Sequence, residues 1–315
     1  MKRQLLGVAA ILLSISTYAQ DNPLWMRYCA ISPDGTTIAF TYKGDIYTVP
    51  STGGRASQIT TNPAHDTKPI WSPDGKKIAF ASDRMGSMDI FEVNKEGGIP
   101  KRLTTHSGNE TPVAYKDAGH ILFLANIMPT VEDAQFPSGQ FQQVYEVNTE
   151  GGRPALFSSM PMEDISINHT GNTLLYHDKK GYEDPWRKHH TSSITRDIWL
   201  CSLNGNRTFR KQTTFNGEDR TPVWASDDKS FYYLSEEKGS FNIFKRDIDG
   251  NTSKQITNHT KHPVRFLSAA SNGTLCYGYD GEIYTVKEGA IPQKVQISIV
   301  TDKNDKDLIR QIKRS

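Results

Sequence analysis

The sequence predicts an all-β fold: a six-bladed β-propeller of four-stranded antiparallel blades, preceded by a signal peptide. Three observations carry that expectation. One strand–turn–strand motif returns six times along the chain, and each copy is followed by the same two further signals. Before the final residues, no segment sustains a helical period.

The chain opens with Lys2 and Arg3, an apolar run over residues 5–15, and small residues at Thr17 and Ala19. A charged start, a short apolar core and small residues at the end form a secretory signal, cut before Gln20. The apolar run of eleven residues is too short for a membrane span, which needs about 20. No cysteine stands at the cut to take a lipid, and no later stretch is apolar enough to span. The expected location is the periplasm of a bacterium, or the medium outside it. Residues 1–19 are read as the signal peptide, 20–300 as the propeller, and 301–315 as a linker or the truncated start of a following domain.

The 315 residues carry 37 Lys and Arg against 35 Asp and Glu, a formal charge of +2. Lys2 and Arg3 account for that surplus, so removing the signal leaves a neutral chain. Such a balance gives no footprint for wrapping nucleic acid, and none is expected as a partner. With 24 Gly and 16 Pro the composition is also neither collagenous nor of low complexity.

The repeat begins with Ile31-Ser32-Pro33-Asp34-Gly35-Thr36-Thr37-Ile38-Ala39-Phe40 and returns as Trp71-Ser72-Pro73-Asp74-Gly75-Lys76-Lys77-Ile78-Ala79-Phe80. Weaker copies start near Tyr115, Ile167, Trp224 and Ala269, so the starts lie 40, 44, 52, 57 and 45 residues apart. Each reads as a strand, a tight turn and a second strand. A polar, a β-branched and an aromatic residue then open a third strand: Asp45-Ile46-Tyr47, Asp89-Ile90-Phe91, Gln143-Val144-Tyr145, Asp197-Ile198-Trp199, Asn242-Ile243-Phe244 and Glu282-Ile283-Tyr284. A Gly turn follows, at Gly53-Gly54, Gly97-Gly98, Gly151-Gly152, Asn204-Gly205, Asp249-Gly250 and Glu288-Gly289. A short fourth strand closes the unit, clearest as Gln58-Ile59-Thr60, Arg102-Leu103-Thr104 and Gln255-Ile256-Thr257. Four short strands per 40–57 residues make a propeller blade, whereas a β-sandwich gives no reason for one turn to return six times. Cys29, Cys201 and Cys276 each fall inside a strand-like segment and read as small buried core thiols, not as a disulfide or a nucleophile.

These motifs resemble the propeller repeat of TolB and of tricorn-type proteases; two copies match almost fully and four are eroded. The α/β domain that precedes the TolB propeller has no counterpart ahead of the first blade. Two tracts, Gly181-Tyr182-Glu183-Asp184-Pro185-Trp186-Arg187-Lys188-His189-His190 and Gly217-Glu218-Asp219-Arg220-Thr221-Pro222-Val223-Trp224, are similar to the first propeller of secreted tricorn-like serine proteases. In that family a second propeller, a PDZ domain and a protease core with the catalytic serine follow, and none is found here. The resemblance implies a non-catalytic propeller that filters or guides peptide substrates, or positions downstream protease domains. A free-standing TolB-like periplasmic propeller that binds protein partners is the first alternative. The propeller lid of a prolyl-oligopeptidase-like hydrolase is the second.

No Gly-x-Ser-x-Gly elbow, His-Glu-x-x-His, Cys-x-x-Cys or phosphate-cradling loop occurs, so no catalytic residue is assigned and no cofactor is expected. The adjacent His189 and His190, with Glu183 and Asp184 nearby, lack a spacing that fixes a tetrahedral metal site; no metal is assigned. Blade topology points to function more directly. The short Asp-Gly and Gly-Gly turns share one face of a propeller, and the second-to-third loops and blade connections share the other. On that second face lie the long loops 126–142 and 178–196, in adjacent blades. Charged residues also gather there, just ahead of the channel-lining strands. The candidate substrate- or partner-binding residues are therefore His65, Asp66, Glu110, Glu163, Asp164, Glu183, Asp184, Arg187, His189, His190, Glu218, Asp219, Arg220 and His262.

Overall fold

The computed structural model describes residues 23–127, 141–181 and 191–300. They form six four-stranded antiparallel sheets, each built from contiguous chain with its strands in sequence order. Blade one comprises Arg27–Ile31, Thr37–Tyr42, Asp45–Pro50 and Ser57–Gln58, and blade two Asp66–Trp71, Lys77–Ser82, Asp89–Asn94 and Lys101–Arg102. Blade three comprises Thr111–Asp117, His120–Ala125, Gln143–Asn148 and Ala155–Ser158, and blade four Met162–Ile167, Thr173–Asp178, Ile198–Ser202 and Thr208–Lys211. Blade five comprises Asp219–Trp224, Ser230–Ser235, Asn242–Asp247 and Ser253–Gln255, and blade six Arg265–Ala269, Leu275–Tyr279, Glu282–Val286 and Gln293–Lys294. The six innermost strands touch one another in a closed cycle, one to two and so on to six and back to one. The propeller expected from the repeat is the fold observed.

The repeated residues are hydrogen-bonding devices. In the first turn the Ser32 hydroxyl donates to the Asp34 carboxylate at 2.6 Å, and Asp34 accepts the Thr36 N–H at 2.9 Å. The Thr37 N–H donates back to Ser32 Oγ at 3.0 Å. Ser72, Asp74, Lys76 and Lys77 repeat these contacts at 2.7, 3.1 and 2.9 Å. In blade four one side chain does the work: Asn168 Oδ1 accepts the N–H groups of Asn172 and Thr173 at 3.1 and 3.0 Å. The threonine that ends the fourth strand has an equally specific task. Thr60, Thr104, Thr213 and Thr257 accept, through Oγ1, the N–H of Ile46, Ile90, Ile198 and Ile243 at 2.9–3.0 Å. That bond fastens the outer edge of each of these blades to its third strand, where a short strand could otherwise fray. Tryptophan at the motif's first position ties a blade to its predecessor: Trp71 Nε1 donates to the Ala30 carbonyl at 2.8 Å, and Trp224 Nε1 to that of Ser166 at 3.0 Å.

The cores lie between blades as well as within them. Ile38, Phe40, Ile78, Phe80, Ile121 and Phe123 are wholly buried on second strands, where each blade meets its neighbours. Burying one such side chain stabilises by about 1.5–3 kcal/mol, and no blade could collect that alone. The last interface, between blades six and one, joins Met26, Cys29, Ile31 and Phe40 to Cys276, Ile283, Val295 and Ile297. There the Met26 N–H donates to the Gly281 carbonyl at 3.1 Å, and the Ser271 N–H to that of Pro33 at 2.9 Å. Beyond blade six, Ile297–Ser298 pairs in parallel with Gly54–Arg55. The ring therefore closes with a short clasp laid onto blade one, not with a strand exchanged into it.

Gly53 marks where that clasp is tightest, because a Cβ there would stand 2.7 Å from the Gln296 carbonyl oxygen while φ is +92°. At Gly75 φ is +67° but the nearest atom to an added Cβ is Pro33 Cδ at 3.5 Å. Gly75→Ala should cost about 1 kcal/mol, the usual left-handed penalty, and Gly53→Ala roughly 2–4 kcal/mol through added displacement of the clasp. Denaturant melts of both variants measure the difference. Equal losses would mean that the clasp contributes nothing to closure.

Candidate functional site

Every inner strand breaks register with its neighbour in mid-course: at 27/30, 67/70, 112/114, 163/166, 220/223 and 265/268. In five of them a non-glycine residue at the break has a left-handed backbone: Tyr28 (φ +52°), Lys68 (+54°), Asp164 (+49°), Thr221 (+51°) and Phe266 (+58°). Blade three places Pro112 there, whose ring forbids positive φ. A bulge re-aims the side chains around it, and a left-handed non-glycine residue costs about 1–2 kcal/mol. Here the bulged segments of all six blades face the axis. Tyr28, Lys68, Pro112, Asp164, Thr221 and Phe266 all line a central cavity of about 610 Å³.

The charged part of the cavity lies on its blade-four and blade-five side. Lys179 Nζ donates to Glu163 Oε1 at 2.7 Å, and His177 Nε2 meets Glu163 Oε2 at 3.2 Å. The Thr221 N–H donates to His177 Nδ1 at 3.3 Å, which leaves the ring proton on Nε2, toward Glu163. Asp164 Oδ2 accepts the Thr221 hydroxyl at 2.7 Å. Behind them Arg196 Nη1 donates to Glu218 Oε1 at 2.9 Å, with Arg220 Nη1 3.5 Å from the same oxygen. The Arg220 guanidinium also lies over the Phe241 ring at 4.1 Å. Burial opposes ionisation of Glu163, but His177 and Lys179 outweigh it and hold the carboxyl well below its usual range. Burial pushes Arg220 down to about 10, against Glu218, so it stays charged at neutral pH. Burial also lowers Lys68, opposed by Asp164 and Glu163. The charged residues lining the cavity are Lys68, Lys179, Arg196, Arg220 and Arg265 against Glu163 and Asp164, an excess of positive charge. Among the described residues, His177 is partnered by the Glu163 carboxylate and the Thr221 N–H.

The structure distributes the sequence-predicted residues unevenly. Glu163, Asp164 and Arg220 line the cavity, and Glu218 backs it. Asp66, Glu110 and Asp219 are wholly buried two residues ahead of Lys68, Pro112 and Thr221, between blades rather than in the channel. Their blade-one, blade-four and blade-six counterparts are the equally buried Met26, Met162 and Val264. The main chain explains the slot: Met26, Asp66, Glu110, Asp219 and Val264 each donate an N–H to the preceding blade at 2.7–3.1 Å. Arg84 Nη2 reaches both oxygens of Asp66 at 2.9 Å, and Thr104 donates its hydroxyl to Glu110. His65 is exposed, and His262 Nε2 lies 3.3 Å from Asp280 Oδ1 on the blade-six rim. Glu183, Asp184, Arg187, His189 and His190 lie outside the described residues. Sequence reasoning missed Lys68, His177, Lys179, Arg196 and Arg265. Stacking the six inner strands on their common register would have exposed Lys68 and Arg265. Among the described residues, no group of three or more His, Cys, Asp or Glu could hold a metal ion.

Comparisons with known proteins agree with this architecture. The family described as the tricorn protease N-terminal beta propeller domain matches residues 23–290. Tricorn protease homolog 1 of Streptomyces coelicolor is 26% identical over 281 residues, which is 88% of this chain and 25% of that protein. The crystal structure of the tricorn protease superposes with a TM-score of 0.73 at 21% identity, over 90% of this chain and 27% of that one. TolB from Acinetobacter baumannii gives a TM-score of 0.60 at 15% identity, over 84% of this chain and 61% of that one. Both structural likenesses speak to the fold. The chain spans about a quarter of the length of the tricorn homologues it matches.

Two of the buried acids make stability depend on pH. Burial pushes Glu110 from 4.5 up to about 7, opposed by Thr104, and Asp219 from 3.8 up to about 7, opposed by Ser235 and Thr213. The unfolded chain gives up these protons first, so the contribution is full below about pH 4, falls as pH rises and levels off above about 7. Each group accounts for on the order of 3–4 kcal/mol. Glu110→Gln, which keeps an acceptor for Thr104, should lose less stability than the natural chain between pH 5 and 8. Urea midpoints at the two pH values test this, and parallel losses would contradict it.

Proposed function

The chain belongs to the family of tricorn protease N-terminal β-propeller domains, and on that premise we propose that it is the non-catalytic, peptide-guiding propeller of an exported tricorn-like serine protease. The observation that carries the reading is the central cavity, into which five left-handed bulges turn polar and aromatic side chains. Holding several residues in a costly conformation at the same place in successive repeats is expensive for a scaffold and useful for a lining. The lining suits an extended peptide: Tyr28 and Phe266 offer rings that pack 4.8 Å apart, and Thr221 offers a hydroxyl. The excess of Lys and Arg favours segments that carry carboxylates, by drawing them in and by opposing cationic ones. Bond cleavage belongs to domains outside these residues, and the signal-like start, Lys2 to Ala19, favours work in the periplasm or beyond it.

A free-standing, partner-binding propeller is the second reading, favoured by the TolB likeness, which rests on fold alone. The lid of a prolyl-oligopeptidase-like hydrolase would be recognised by a Gly-x-Ser-x-Gly elbow downstream, a tricorn-like protein by a PDZ domain and protease core.

Fluorescence anisotropy with labelled ten-residue peptides tests the guiding role. An acidic peptide should bind the purified chain about tenfold tighter than a basic one of equal length, and roughly 0.5 M salt should erase the difference. Lys68→Gln combined with Lys179→Gln should reduce the preference several-fold with little change in melting temperature. Equal binding of both peptides would reject the charge-selective channel. The purified chain should also hydrolyse none of them; turnover abolished by one substitution within these residues would contradict the non-catalytic assignment.

A further inference from the structure

Blades six and one meet at the one junction in the ring where no connecting chain passes from a blade to its neighbour, and two of the three cysteines meet there. Cys29 is on the inner strand Arg27–Ile31 and Cys276 on the second strand Leu275–Tyr279. Both are buried free thiols in the same core cluster, packed with Ile31, Phe40 and Ile283. One hydroxyl touches both residues: Ser268 Oγ lies 3.5 Å from the Cys29 carbonyl oxygen and 3.5 Å from that of Cys276. The same hydroxyl accepts the Ile31 N–H at 3.0 Å, so this part of the seam is pinned across the two blades. The strands that carry the two cysteines lie against each other across the seam, with both side chains in that one core. Two cysteines packed into one core on touching strands are placed to be joined by a disulfide if the seam lets their sulfurs approach. Cys201 sits elsewhere, in the core shared by blades three and four with Leu122 and Tyr176.

The channel supplies a route to the pair. Cys29 lines the central cavity together with Phe266 and Ser268, and its Sγ lies 3.5 Å from the Phe266 carbonyl oxygen. A cavity of about 610 Å³ admits a small disulfide compound. Cys276 is wholly buried behind it.

We propose that Cys29 and Cys276 are a redox pair whose disulfide locks the propeller ring across the seam between its first and last blades. The oxidant is a small-molecule disulfide such as oxidised glutathione. The Cys29 thiolate attacks one of its sulfurs, displacing one thiolate and leaving a mixed disulfide on Cys29. The Cys276 sulfur, giving up its proton, then attacks Cys29 Sγ and displaces the second thiolate. Two protein thiols are oxidised to one disulfide, the reagent disulfide is reduced to two thiols, and the two protons pass to the departing thiolates. Cys29 lines the cavity and makes the first attack, whereas Cys276 is wholly buried behind it, with its thiol held above the ordinary range by burial, so transfer to Cys276 is the slow step. The bond would replace a seam of hydrogen bonds and apolar contacts with a covalent one. It would also tie nearly the whole propeller into a loop in the unfolded chain, where cross-links have their greatest effect. This inference rests on the seam and holds whether or not the channel handles peptides.

The test incubates the reduced protein with oxidised glutathione well below its melting temperature, caps free thiols by alkylation, and maps peptides by mass spectrometry without reduction. The expected product is a Cys29–Cys276 linked peptide with Cys201 alkylated. The melting temperature should rise by roughly 5 °C or more, returning on treatment with dithiothreitol. Cys276→Ala should leave Cys29 as a mixed disulfide and show no such rise. The natural chain with and without reductant provides the same reading should that variant fold poorly. Cys29 and Cys276 both alkylated, a glutathione adduct on Cys29 of the natural chain that never transfers, or linkage to Cys201 would each overturn the proposal.

Discussion

The structure depends on closing a ring whose parts cannot stand alone. A four-stranded blade buries its faces only against two neighbours, so the sixth interface is required for the first to be complete. Five blade junctions reuse one main-chain bond, an N–H at or just ahead of the start of the inner strand donating to the preceding blade, and the Met26–Gly281 closure is one of them. The interface between blades six and one is thus built like its siblings, although its two sides are distant in sequence. The added clasp of Ile297–Ser298 on Gly54–Arg55 compensates for the missing covalent connection.

Closure also determines where chemistry can sit. Six inner strands converging on an axis would leave an apolar, narrowing tube if each kept strict alternation. The register breaks interrupt that alternation and turn Tyr28, Lys68, Asp164, Thr221 and Phe266 toward the channel. The cations that result are not left bare. Glu163 gathers His177 and Lys179, and Glu218 gathers Arg196 and Arg220, which moderates a charge that would otherwise oppose ring closure.

The fold was legible because its devices are local. Ser32, Asp34 and Gly35 complete their turn within a few residues, and so do their copies, so spacing alone yields blades and their number. The site was legible only in part. Asp66, Glu110 and Asp219 stand at or just ahead of the start of inner strands and read as binding residues of the loop face, yet a position that holds Met26, Met162 and Val264 in other blades is a slot between sheets. Two residues later the bulge reverses the parity that sequence alternation relies on, so Lys68 and Thr221 face the axis against the pattern. His177 and Lys179 reach the site from the second strand of blade four and the loop beside it, as cross-strand neighbours of Glu163, and Arg196 reaches Glu218 across the junction with blade five; none of the three belongs to the repeated motif. Cys29 and Cys276 were hidden because opposite ends of the chain bring them into one core.

The central claim is that the bulged inner strands form the surface that an extended peptide touches. Photo-crosslinking tests it most directly: an acidic peptide carrying a benzophenone at its middle residue is bound, irradiated and mapped by mass spectrometry. The account predicts attachment within the inner strands, at Tyr28, Lys68, Thr221, Phe266 and their immediate neighbours. Attachment confined to the Gly turns or to the outer strands, with the inner strands unlabelled, would contradict it.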